Sequence, residues 1–252
     1  MPGSYRQKGL FIAGTDTGVG KTILAAGLVR LARHKGLRSL GVKPVETGCA
    51  YRSGELYPED GVFLRDASEK DLSLDECVPY RFSLPASPAR AATMVGTRLC
   101  LGDLVEHVFA LAESADVIVV EGAGGLLVPI QDNLMMIDLI QRLGYPTILV
   151  ARTRLGTVNH TLLSVQALEQ RELEITGIVL SSSEGQGGVE EQFTPSCLRA
   201  STSGLTGLSD NEWAAVSRHL PGIREQMAIM NRSVPAESEQ NKSASVWRKW
   251  PP

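Results

Sequence analysis

The stretch GTDTGVGKT, residues 14–22, limits what this chain can fold into more than any other. It follows the apolar run GLFIA (9–13) and precedes KTILAAGLVRLARH (21–34), whose apolar residues recur at helical spacing. A strand must therefore become a helix across a turn crowded with glycines, small hydroxyl residues and one lysine. Gly18 and Gly20 permit backbone angles and close approaches that a Cβ would obstruct. The loop N–H groups from Gly18 and Val19 through Gly20 to Ile23 can then converge on phosphate oxygens at the start of the helix. Lys21 can reach the β- and γ-phosphates, and the Thr22 hydroxyl can complete a magnesium shell. The pattern is a variant, because Thr15 stands where the first glycine of a phosphate loop is expected, with Gly14 one position earlier. The expectation is a nucleoside triphosphate site.

Apolar runs of strand length alternate with helix-length stretches along the chain. After the strand at 9–13 and the helix at 21–34, RSLGVKPV (38–45) reads as a second strand. DVIVVE (116–121), PTILVA (146–151) and ITGIVL (175–180) are further strands without polar alternation, the pattern of strands covered on both faces. Helical stretches at about 101–114, 134–143 and 157–170 separate them. The expected fold is therefore α/β, a doubly wound and mainly parallel sheet flanked by helices, with its ligands at the carboxyl ends of the strands. Residues 1–182 read as the α/β domain and 183–230 as its divergent continuation; the stretch 181–210 contains no convincing strand, and 211–230 could form a helix. Residues 231–252 have the polar composition of a disordered tail.

Composition narrows the partners. The chain has 252 residues, a formal net charge of −3 and 43% apolar residues, so bulk electrostatics favours neither nucleic acid nor an anionic membrane. No run approaches the roughly 20 apolar residues that span a bilayer, and the opening lacks a long apolar leader. Cys49, Cys77, Cys100 and Cys197 are scattered, which argues against a zinc site or a disulfide framework and for reduced thiols in a cytoplasm.

Three further stretches carry candidate chemistry. VKPVETGC (42–49) brings Lys43 and Thr47 to the end of the second strand, where a second lysine would clamp a transferring phosphoryl group. VIVVEGAGG (117–125) delivers Glu121 from a buried strand, and a carboxylate there suits magnesium. Gly122, Ala123, Gly124 and Gly125 follow, where missing side chains would let backbone approach a ligand. Asp60, in PEDGVFLRDAS, is either a further oxygen ligand or a helix N-cap, and spacing alone does not choose it over Glu59 or Asp66. RLGTVNHTLL (154–163) opens a helix at which Gly156 to His160 would either present N–H groups, with Asn159 as an added donor, to a carboxylate, or form a plain N-cap turn beside a surface histidine, and the residues alone do not choose.

Taken together, GTDTGVGKT, GVKPVETG, DGVFLR, PYRFSLPASPARAA, VEGAGGLLVPI and LGTVNHTLL make residues 9–180 resemble the dethiobiotin synthetase family. The resemblance implies an ATP-dependent ligase that uses CO2 or bicarbonate to close the ureido ring of 7,8-diaminopelargonic acid, through a carbamate and a carbamic–phosphoric anhydride. It implies Lys21 and Lys43 as the catalytic cations, and Thr22, Asp60 and Glu121 around Mg2+, which selects Asp60. Thr17 and Thr47 would contact the diamine, while Gly156, Thr157, Val158 and Asn159 of a partner subunit in a homodimer would hold the substrate carboxylate. Lys43→Ala is then expected to lower turnover and leave the fold intact.

The family usually reads adenine with an asparagine after the 175–180 strand, and this chain has Ser181. Its hydroxyl offers fewer hydrogen-bonding groups than an amide, so weak base selectivity is expected. Two other readings share some of these motifs. An amidoligase of the cobyrinic-acid type would need a glutamine-hydrolysing cysteine. A partitioning-type switch ATPase would carry an extra lysine five residues before Lys21, where this chain has Asp16.

Overall fold

A computed structural model describes residues 8–181 and 227–229. It begins with β1 (Gly9–Gly14), α1 (Lys21–His34) and β2 (Ser39–Val42), followed by three short strands, β3 (Val45–Thr47), β4 (Ala50–Arg52) and β5 (Glu55–Tyr57). Next come α2 (Glu59–Ala67), the single turn α3 (Leu74–Cys77), β6 (Tyr80–Phe82), α4 (Pro88–Met94), α5 (Leu101–Glu113) and β7 (Val117–Glu121). A small hairpin of β8 (Pro129–Gln131) and β9 (Leu134–Met135) leads into α6 (Met136–Leu143), β10 (Thr147–Arg152), α7 (Thr157–Glu169) and β11 (Ile175–Ser181). The last described element is β12 (Met227–Ile229).

The main sheet runs in the order β12-β11-β10-β1-β7-β2, and every pairing except β11 with β12 is parallel. The continuous apolar runs explain why. Phe11, Ile12, Val119, Val120, Leu149, Val150, Val179 and Leu180 are at most 1% exposed, so both faces of the sheet are covered. Each such side chain contributes about 1.5–3 kcal/mol on burial. α1 packs against α2, β2 and β7, while α5 packs against α6 and β7. Right-handed crossovers place these two helix pairs on opposite faces, the doubly wound arrangement expected from the sequence. The chain leaves β1 for one side of the sheet and later crosses to the other. The carboxyl ends of β1, β2 and β7 therefore share one edge.

The second strand is shorter than expected. It stops at Val42, because Pro44 has no N–H to donate and Lys43 turns its own N–H to the Cys77 carbonyl at 2.9 Å. Val45–Thr47 then pairs in parallel with Tyr80–Phe82 in a separate two-stranded sheet. The helix expected at 134–143 begins at Met136, since Leu134 and Met135 belong to the β8–β9 hairpin. The expected helix over 211–230 is corrected at its end. Met227–Ile229 is a strand antiparallel to Val179–Ser181, and it covers backbone groups that the edge of β11 would otherwise leave unpaired. The remainder of 182–252 lies outside the described residues, including the boundary at 182 and the 231–252 tail.

Asp138 fixes the start of α6. Its carboxylate accepts the Met135 N–H at 2.6 Å and pairs with Arg171, which follows α7 and so ties two helices together. Burial raises the Asp138 pKa, but the Met135 N–H and Arg171 outweigh it and hold it below the usual aspartate range. A depressed carboxylate pKa adds stability above its unfolded value and loses it as pH falls through the folded one. Asp138→Ala is expected to cost about 1–2 kcal/mol at neutral pH. Urea unfolding should show that gap closing below the ordinary aspartate pKa.

Candidate active site

The loop between β1 and α1 is built as the glycines demand. Gly18 has φ 66° and Gly20, which precedes α1, has φ 99°, both in the left-handed region that favours glycine. Lys21 is 5% exposed, and its side chain folds back over Gly14 so that Nζ donates to the Asp16 carbonyl at 2.9 Å. A Cβ on Gly14 would lie 2.9 Å from that Nζ, so the displaced glycine of the variant loop makes room for the lysine.

Glu121 collects the other parts. It is 1% exposed at the end of β7, and its Oε1 accepts both the Thr22 hydroxyl at 2.8 Å and Lys43 Nζ at 2.9 Å. Lys43 Nζ also pairs with Asp60. Three separate elements thus meet on one carboxylate oxygen. The other oxygen, Oε2, is buried and has no hydrogen-bond partner. Lys43 is 5% exposed, so it is not a solvated loop lysine. Asp60 is not the N-cap of α2, a position that Pro58 takes, and its side chain is 44% exposed toward the cleft.

The charges interact strongly. Burial pushes Lys21 down to about 8, with Glu121 opposing the shift and Lys43 reinforcing it. Burial works against the Lys43 charge too, but Glu121 and Asp60 outweigh it and raise its pKa. Asp60 is held below the usual carboxylate range despite burial, chiefly by Lys43.

A cavity of about 710 Å3 opens onto this cluster. Of the residues singled out in the sequence, Thr17, Gly18, Gly20, Lys21, Thr22, Ile23, Lys43, Thr47, Asp60, Glu121, Ala123 and Gly124 line it. Val19 and Gly122 do not. Val19 is buried in the core, and Gly122 abuts the Phe11 ring, which an added Cβ would meet at 3.0 Å. Gly125 likewise faces the backbone of Gly14 and Thr15 rather than the cavity. Gly156, Thr157, Val158 and Asn159 also lie off the cavity wall. Two of the donors expected at that turn are already engaged, since Thr157 N–H donates to the Arg154 carbonyl and His160 N–H to that of Gly156.

Glu46 was missed. This 6% exposed carboxylate lines the cavity and accepts the N–H groups of Asp60 at 3.2 Å and Gly61 at 2.8 Å, satisfying the first turn of α2 and fixing Asp60 opposite Lys43. Burial pushes Glu46 up to about 7, against the pull of Lys43 and the Gly61 N–H. In the sequence it looks like any loop glutamate, and only its place in GVKPVETG marks it. The apolar part of the lining was also unassigned, although Pro85, Pro88, Leu127, Val128 and Pro129 belong to stretches that carry the family resemblance. Cys49 and Cys77 are buried, their thiols pushed up by burial to about 11 and about 12, so neither is a ready nucleophile for an amidoligase.

The burial of Lys43 changes what its removal does. With Lys43→Ala the buried Glu121 loses its adjacent cation, so folding stability is expected to fall along with turnover. A loss of about 3 kcal/mol is expected in chemical denaturation. Adding Glu121→Gln should recover much of that stability without restoring turnover.

A family model described as an AAA domain matches residues 8–239. The chain is 49% identical over 174 residues to the ATP-dependent dethiobiotin synthetase of Anaeromyxobacter dehalogenans, covering 69% of this chain and 76% of that protein. The synthetase of Thermodesulfovibrio yellowstonii is 37% identical over 199 residues, 76% of this chain and 83% of the relative. That of Bacillus licheniformis is 37% identical over 191 residues, 75% and 79% of the two chains. The chain belongs to the ATP-dependent dethiobiotin synthetase family.

Proposed function

We propose that this chain carboxylates 7,8-diaminopelargonic acid with CO2 and closes the ring to dethiobiotin at the expense of ATP. The observation that carries the reading is a cavity lined by two unlike sets of residues. Lys21, Lys43, Thr22, Asp60 and Glu121 supply charge and oxygen donors, and Pro85, Pro88, Leu127, Val128 and Pro129 supply apolar surface. A substrate that joins reacting amines to an aliphatic chain suits that lining.

In the proposed sequence, one amine adds to CO2 and loses a proton, leaving a carbamate. A carbamate oxygen attacks the γ-phosphorus of ATP, and ADP departs. The second amine then attacks the carbamoyl carbon, the ring closes and inorganic phosphate leaves. The carbamate oxygen is already anionic, so phosphoryl transfer needs positioned positive charge more than a general base. Lys21, released from the Asp16 carbonyl, would meet the β- and γ-phosphates, and Lys43 would face the transferring group and the carbamate. Thr17 and Thr47 would contact the diamine.

The oxygen donors Thr22 Oγ1, Asp60 and Glu121 fit Mg2+, which takes oxygen ligands and keeps several waters. The buried Oε2 of Glu121, with no partner of its own, supports that fit. Bound there, the ion would neutralise charge on the phosphates. Among the described residues no three His, Cys, Asp or Glu side chains group as a metal cage, in keeping with an ion completed by phosphate and water. The Gly156–Asn159 turn lies off its own cavity, which supports its assignment to the site of a second copy in a homodimer. No described helix is long and apolar enough to cross a membrane, and the reading is of a cytoplasmic enzyme acting on small molecules.

Phosphate release from Mg2+ and ATP is expected only when diaminopelargonate and bicarbonate are both supplied. Turnover indifferent to the diamine would exclude this function. Ser181 ends β11 at the same sheet edge as the phosphate loop. In this assay GTP and CTP should support rates within about tenfold of ATP, because a lone hydroxyl discriminates weakly between bases. A preference for ATP by orders of magnitude would overturn the role given to Ser181.

A further inference from the structure

Arg152, at the carboxyl end of β10, reaches across to the phosphate loop. Its Nη2 donates to the Thr17 carbonyl and lies 3.5 Å from Asp16 Oδ2. The other Asp16 oxygen, Oδ1, accepts the Thr17 N–H at 2.7 Å. Nη2 also approaches Gly18 closely enough that an added Cβ there would lie 3.8 Å from it. One guanidinium thus grips the loop at successive residues just before the glycines.

We propose that Arg152 is a positioning residue for the nucleotide, cancelling the Asp16 charge and holding the Thr17 carbonyl so that the phosphate loop can accept a triphosphate. The inference rests on the reading of the loop as an ATP site. Asp16 is the feature that calls for it. A carboxylate at the rim of a cradle for a multiply charged anion repels its ligand. As an exposed ion pair Arg152–Asp16 does little for stability. Its effect appears when the phosphates arrive. The guanidinium also fixes the Thr17 carbonyl away from the phosphate path, where its lone pairs would oppose binding.

ATP binding by Arg152→Ala, Asp16→Asn and the double variant, measured by calorimetry on the full chain with Mg2+, tests this. Arg152→Ala should weaken binding roughly tenfold, the scale of one lost charge-assisted contact. Adding Asp16→Asn should recover most of the loss, since no charge is left to cancel, and Arg152→Lys should bind between wild type and Arg152→Ala. A merely structural role would give neither the recovery nor the ranking. Unchanged ATP affinity in Arg152→Ala, or a double variant as weak as the single one, overturns the proposal while leaving the ATP site in place. If Arg152→Ala does not fold, an Arg152→Lys affinity equal to wild type overturns it instead. Failure of the wild type to bind ATP would remove both the proposal and the reading beneath it.

Discussion

The carboxylate of Glu121 is the point on which the site is assembled. One of its oxygens receives Thr22 from the start of α1 and Lys43 from the end of β2, while the carboxylate itself comes from β7. These three elements are brought side by side only by a parallel sheet whose order departs from chain order. The cost of failure is steep, because an unpaired buried charge is worth several kcal/mol against folding, whereas a satisfied pair contributes little net. The interaction therefore specifies where the groups sit more than it stabilises the whole. Any arrangement that separated β2 from β7 would strand the glutamate.

The same logic explains what could be read in the sequence. Residues 9–13, 116–121, 146–151 and 175–180 were legible as strands because both of their faces are buried, which leaves uninterrupted β-branched runs. The helix at 21–34 was legible because its apolar residues keep helical spacing and its start is marked by glycine. The segment from Val45 to Phe82 was not legible. Its three-residue strands are too short for periodicity, and Val45–Thr47 finds its partner more than thirty residues later at Tyr80–Phe82. Glu46 was lost with that segment. Its importance comes from two backbone N–H groups on α2, a relation that no local pattern encodes. Arg152 was hidden for a related reason, since a basic residue after a buried strand reads as solvated.

Glycine has two distinct uses in the site. Gly18 and Gly20 supply positive φ, so their role is conformational and was visible from spacing. Gly14 and Gly122 have ordinary backbone angles and matter because neighbours occupy the space of a Cβ, Lys21 in the first case and Phe11 in the second. The sequence reading assigned the glycines after Glu121 to a ligand. At Gly122 and Gly125 the close approach is to the chain itself, which presses the turn against the phosphate loop. Ala123 and Gly124, set between them, are thereby held at the cavity wall.

The two lysines are held differently. Lys43 is saturated by Glu121 and Asp60, and its charge is secured by them. Lys21 leans on a neutral carbonyl, and burial brings its pKa to about 8, so its charged form is weakly held until an anion arrives. A triphosphate offers Lys21 far stronger acceptors than the Asp16 carbonyl, and exchange onto the phosphates costs only that one bond. Lys43 has no such freedom while both carboxylates face it. Oxygen-seeking charge placed between those carboxylates and the phosphates would compete for the same lone pairs and loosen the lysine. The pairing with Glu121 and Asp60 therefore leaves Lys43 the more restrained of the two cations, and Lys21 the one that a new anion could recruit at smaller cost.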